Sequence, residues 1–254
     1  MDYHPQNTAS KYTTKLNQVI ELEGGWEVGL VEVSFPPHVE NVLEGHCYYT
    51  MTFTSGRQLK IEMPAGLYNE GSAVLRALHS AQRSAMKMRP GDPLLVTFRY
   101  PSNHQYFTVK INNRVLPNMA IAHVKFSYRL AALMGFDSEQ TYGGTDTHRS
   151  RKKHDLVAGL SVVYVYCDLL EPILIGDTKA PLLRICSRPI QKTNKYRESY
   201  RAFNPIQYVP LQKKCFDTVT LQVMTDDGLV VPFLDGKTVI VLEFRRTTHP
   251  YYLI

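Results

Sequence analysis

No stretch of this chain is apolar over the roughly 18 residues that a membrane-spanning helix needs, so no helical span is expected. The sequence has no GxSxG, no P-loop and no GxGxxG, which removes the usual serine elbow and the usual glycine cradles for phosphate. It also has no HxH pair of the kind that opens a cupin-type metal centre. His148 and His154 flank four basic residues whose charge would repel a cation. The four cysteines, Cys47, Cys167, Cys186 and Cys215, form no CxxC pair. Three of them sit in apolar, strand-like surroundings, where core thiols are expected. The opening MDYHPQNTASKYTTK lacks a basic start followed by an apolar block, so synthesis inside a cell without a secretory signal is expected.

What is present is ordinary for a folded domain: 254 residues, 44% hydrophobic and 20% charged, enough for one large core. The net charge of +6 is unevenly placed. HRSRKKH, residues 148–154, is the dense basic run, and an acidic partner would suit it.

The first third reads as strands rich in Val, Thr, Tyr and Phe: 12–22, 27–35, 47–53 and 58–63, broken at Gly24-Gly25, Pro36-Pro37 and Ser55-Gly56. In the second, Trp26, Val28 and Leu30 share one face, while Val31, Val33 and Phe35 share the other. Either both faces are covered or a bulge switches register near Leu30. Val74, Leu75, Leu78, Ala81 and Ala85 then recur at helical spacing, predicting a helix over 72–88 that Arg89-Pro90-Gly91 stops. Strands at 94–100, 106–111 and 123–126 follow. Ser127 is placed to N-cap a short helix that Gly135 ends. Residues 141–159 have no periodicity and read as a mobile basic loop. Four further strands are expected at 161–169, 181–187, 216–224 and 238–246.

Four strands before the helical module and four after it suggest an eight-stranded jelly roll, mainly β, with a small α/β insertion. The expected division is a discontinuous sandwich from 1–67 and 157–254, an insertion at 68–140 and a flexible basic loop at 141–156.

The stretch VVYVYCDLLEPILIGDTKAPLLRI, residues 162–185, holds Asp168, Glu171 and Asp177 close together in sequence, and paired carboxylates can serve as acid and base. Alternation instead puts Tyr164, Tyr166 and Asp168 on one strand face. Glu171 precedes a proline and Asp177 follows a glycine, so two strands and a bend account for all three. Arg149, Arg151, Lys152 and Lys153 could neutralise nucleic-acid phosphates or stand as a solvated loop. The apolar tail THPYYLI, with Tyr251 and Tyr252, either folds back or docks on a neighbour.

Taken in order, DYHPQNTASKYTTKL, GGWEVGLVEVSFP, FSYRLAALMGF, VYVYCDLLEPILIGDTKAPLLRI and DGLVVPFLDGKTVIVLEFRR resemble the minor capsid, or penton, protein of Polinton/Maverick elements and related adintovirus-like viruses. The resemblance runs across nearly the whole chain, and is poorest at 141–159 and 191–205. It implies a jelly-roll subunit of the virion capsid, forming homopentamers at icosahedral vertices beside a double jelly-roll major capsid protein; genomic DNA is a further candidate partner on the strength of the basic run alone. The resemblance implies no enzymatic activity and no cofactor. Tyr164, Tyr166, Asp168, Tyr251 and Tyr252 are the candidate subunit contacts. A β-sandwich module binding a ligand through its loops, or a nucleic-acid-binding protein centred on 148–154, are the alternatives.

Overall fold

A computed structural model of the chain describes residues 4–101, 105–113, 120–157, 160–187 and 199–247. Its contacts divide into two compact units, Met1–Val39 with Gly159–Ile254, and Glu40–Ala158. Each has its own apolar core.

The first unit opens with β1 (Lys11–Glu21) and β2 (Trp26–Phe35). The second unit then carries β3 (Tyr48–Phe53), β4 (Gln58–Glu62), α1 (Gly71–Ala85), β5 (Val96–Arg99), β6 (Thr108–Ile111), β7 (Ile121–Phe126), α2 (Tyr128–Met134), β8 (Thr141–Gly143) and β9 (Thr147–Arg149). The chain returns to the first unit with β10 (Val162–Cys167), the hairpin β11 (Ile173–Ile175) and β12 (Thr178–Ala180), and β13 (Leu182–Ser187). It closes with β14 (Ser199–Ala202), β15 (Tyr208–Pro210), β16 (Cys215–Met224) and β17 (Val239–Arg246).

One sheet of the first unit has the order β1-β16-β10-β13, all antiparallel. The other is built on β2, with β17 along one edge and β14 and β15 along the other. Early strands therefore pair with late ones, β1 with β16 and β2 with β17, and each long connection crosses between sheets. This is jelly-roll topology. Val163, Val165 and Cys167 of β10 and Val219, Leu221 and Val223 of β16 face the core. They meet Val28, Leu30, Val33 and Phe35 of β2. The mixed pattern of β2 is explained by a bulge: Leu242 pairs with Leu30 and Val241 with Glu32, so Val31 has no partner in that ladder. The extra residue flips the alternation, and all four apolar side chains reach one core.

The second unit begins at Glu40, not at residue 68. β3 pairs with β4 on one side and β7 on the other, so Tyr49, Met51 and Phe53 are buried with α1 and α2 rather than in the sandwich. The second helix starts and stops where its sequence signals stand, whereas α1 ends at Ala85, short of the expected residue 88 and ahead of the Arg89-Pro90-Gly91 stop. Ser127 accepts a hydrogen bond from the Leu130 amide, and Gly135 takes a left-handed conformation that a side chain would resist. Residues 141–157 correct the expectation of a mobile loop. β8 pairs with β7 and β9 with β6, Tyr142 and Ser150 are buried, and Asn41 donates to the Leu156 carbonyl.

Between β10 and β13 the expected bend is a two-stranded hairpin turning at Gly176-Asp177. β14 also forms inside a segment that reads from its composition as polar connection. Ser34 and Glu32 of β2 supply its ladder partners, and local propensity does not report them. Three of the four cysteines, Cys47, Cys167 and Cys186, are buried, and burial pushes each thiol up to about 11.

Candidate functional site

The alternation in β10 places Val163, Val165 and Cys167 inward and leaves Tyr164 and Tyr166 half-buried on the outer face. Tyr164 lies in register between Ile185 of β13 and Met224 of β16, forming an apolar row across three strands. Ile185 is 49% exposed, so the row is open to solvent on one side. Tyr166 is beside Gln222, and partial burial raises the pKa of its phenol above the ordinary value.

Asp168 terminates this strand by bonding to its neighbour. Its Oδ1 accepts the Thr220 amide at 2.8 Å, its Oδ2 receives the Lys213 ammonium at 2.7 Å, and its own amide donates to the Thr220 carbonyl. Glu171 and Asp177 are exposed, and Asp177 accepts the Thr178 hydroxyl within the hairpin turn. The three carboxylates thus have separate surroundings, and the one with defined partners holds a strand end. Replacing Asp168 with Ala leaves the Thr220 amide short of an acceptor and should cost about 1–2 kcal/mol. Asp168→Asn keeps an acceptor and gives up a half-exposed ion pair, a loss of less than about 1 kcal/mol. Urea unfolding of the two variants checks this, and equal midpoints would contradict it.

Two further apolar surfaces were not legible in the sequence. The β11-β12 hairpin projects Leu174, which is 71% exposed, with Ile173 on the same strand. The outer face of the β2 sheet carries Tyr200, Ser34 and Val239 in one row and Ala202, Glu32 and Val241 in the next. Tyr200 and Val239 are 60% and 56% exposed. Among the described residues β17 pairs with β2 alone, so its other edge offers unpaired backbone groups beside this patch.

Toward the Arg246 end the same face becomes polar. The Tyr208 hydroxyl donates to Glu243 at 2.8 Å, Arg245 lies over the Tyr208 ring, and Arg245 Nε donates to the buried Glu27. The hydrogen bond to Glu243 holds the Tyr208 phenol above its usual range. This network fixes one end of the face and leaves the apolar end uncovered.

Arg149, Arg151, Lys152 and Lys153 are all exposed, on a backbone that is anchored at several points. Ser150 donates to the Phe107 carbonyl, Lys152 to the Gly135 carbonyl, and His154 to the Gln105 carbonyl. Arg149 lies 4.1 Å from the centre of the Tyr106 ring. Among the described residues none of the four basic side chains forms an ion pair with a carboxylate. Tyr251 and Tyr252 lie outside the described residues.

No protein-family model and no curated protein matches the sequence. A solved structure does match: the crystal structure of the SeMet-labelled mavirus penton protein, with a TM-score of 0.50 at 12% identity. The likeness covers 93% of this chain and 91% of that one. The fold is penton-like. Coverage this complete takes in residues of both units of the penton-like chain, so the likeness is not confined to the sandwich. At 12% identity it carries over the path of the backbone and not the roles of individual side chains.

Proposed function

We propose that this chain is a structural subunit of a viral capsid, a minor capsid protein of the penton type that closes five-fold vertices as a homopentamer. The observation that carries the reading is the penton-like fold along almost the full length of the chain. The ordered motifs that resemble Polinton/Maverick and adintovirus-like pentons support it independently, because they were read from sequence alone. Its place is then the virion capsid, and its partners are further copies of itself and a double jelly-roll major capsid protein.

A closed ring uses one heterologous interface repeated around the axis, so each subunit needs two different surfaces that fit each other. The jelly-roll unit has more than one exposed apolar surface: the hairpin at Ile173 and Leu174, the Ile185–Tyr164–Met224 row, and the Tyr200–Val239–Val241 face. In this reading the hairpin and the β2-sheet face are the two halves of the ring contact.

The test is the mass of the purified protein by light scattering, with negative-stain images of the same sample. Five-fold rings are expected, and Leu174→Asp or Val239→Asp should weaken association by more than about 30-fold while leaving the melting curve in place. A protein that stays monomeric at every concentration and salt, alone and mixed with a major capsid protein, would overturn the reading.

A further inference from the structure

The basic loop does not stand alone, because β9 docks it against the edge of a small sheet. In β5-β6-β9 the register aligns Arg99 with Thr108 and Thr108 with Arg149 in one row. The next row aligns Thr97 with Lys110 and Lys110 with Thr147. Phe98, Val109 and Phe107 point the opposite way into the core, so both rows lie on the outer face. Arg99, Lys110 and Arg149 are exposed. The face is a checkerboard in which threonines alternate with cations.

Neighbouring strands are about 4.8 Å apart, so Arg99 and Arg149 start roughly 10 Å from each other. Lys110 sits on the diagonal about 7–8 Å from each. Carboxylates are absent from both rows, and among the described residues none of these three cations forms an ion pair. Tyr106 continues the face beneath Arg149 and holds that guanidinium in place. Arg151, Lys152 and Lys153 extend the positive charge from the end of β9 along the anchored loop.

We propose that this outer face of β5-β6-β9, with the adjoining loop, binds the phosphate backbone of double-stranded nucleic acid without reading its sequence. A duplex presents a dense, regular row of negative charge, and the checkerboard answers it with regularly spaced cations. The threonine hydroxyls between them can donate to phosphate oxygens, as side chains that position a protein on a duplex do. A membrane surface fits less well, since none of the large exposed apolar side chains among the described residues lies on this face to enter a lipid layer. The inference does not depend on ring assembly, because a single subunit presents the same face.

The experiment uses the full-length protein and a fluorescent duplex of about 30 base pairs, with anisotropy read between about 50 and 200 mM salt. Each phosphate neutralised contributes a slope of about −0.9 in log K against log salt. The variant Arg99→Gln/Lys110→Gln should therefore lose about 1.8 of the slope and bind at least about ten-fold more weakly at low salt. Adding Arg149→Gln should bring the slope loss to about 2.7. The double variant spares the Arg149–Tyr106 contact, so it remains informative if the triple variant melts early. Failure of the wild-type chain to bind the duplex at low salt would overturn the proposal. So would an unchanged affinity and slope in the double variant, or binding to phosphatidylserine vesicles but not to the duplex.

Discussion

Replacing Gly135 with alanine is expected to destabilise the Glu40–Ala158 unit by about 2–4 kcal/mol and to release the basic loop from α2. Gly135 sits at φ +81°, where an L side chain is strained. A Cβ there would lie 2.2 Å from the Lys152 carbonyl oxygen and 2.9 Å from that of Lys153. Both obstacles are backbone atoms, so relief requires the loop itself to move. The hydrogen bonds from Lys152 to the Gly135 carbonyl and from Asp155 to the Leu133 carbonyl would go with it. Gly144 is the control: its φ is +80°, but nothing lies within 4 Å of its Cβ position. Gly144→Ala should thus cost only the conformational part, about 1 kcal/mol. Urea unfolding reads the two energies. Limited trypsin digestion reads the loop, because Arg149, Arg151, Lys152 and Lys153 become cleavable once the backbone detaches. Equal protection of the two variants would refute the docking argument.

The second large effect is expected at Gln82, a polar side chain with no solvent exposure in the last turn of α1. Its Nε2 donates to the Tyr49 hydroxyl at 3.0 Å and the Val96 carbonyl at 2.9 Å, while its Oε1 accepts from the amides of Leu95 and Val96. One amide group thereby fastens a helix to β3 and to the start of β5. Gln82→Leu fits the space but strands several buried partners, and each costs about 1–3 kcal/mol when left unmade. Allowing for partial relaxation, a loss of about 3–5 kcal/mol is expected. Amide hydrogen exchange at Leu95 and Val96 should accelerate in step, and these residues lead into the strand that carries Arg99. A variant within about 1 kcal/mol of wild type would show that the network is not needed.

Gln82 also shows how far pattern reading goes. The spacing of Val74, Leu78 and Ala81 exposes the buried stripe of α1, because a helix reports its own face every three or four residues. The same stripe says nothing about the glutamine beside it, whose partners lie 13 and more residues away and belong to other elements. The basic run is a similar case. Its composition was correctly read as positive and wrongly as mobile, since its order comes from backbone hydrogen bonds to Phe107, Gly135 and Gln105. Such bonds use groups that every residue possesses, and composition carries no trace of them.

Local chemistry alone was enough to place α2 between Ser127 and Gly135, to separate the two faces of β10, and to offer a bulge near Leu30 as one of two readings of β2. These follow from capping, from the two-residue repeat of a strand and from φ preferences, all of which act within a few residues. Tertiary structure decided which strands became partners. It assigned β3 and β4 to the second unit, raised β14 out of a polar connection, and set Arg99, Lys110 and Arg149 in register on one face. Pairing of this kind depends on complementary surfaces brought together from distant parts of the chain, and no local window contains both sides of the contact.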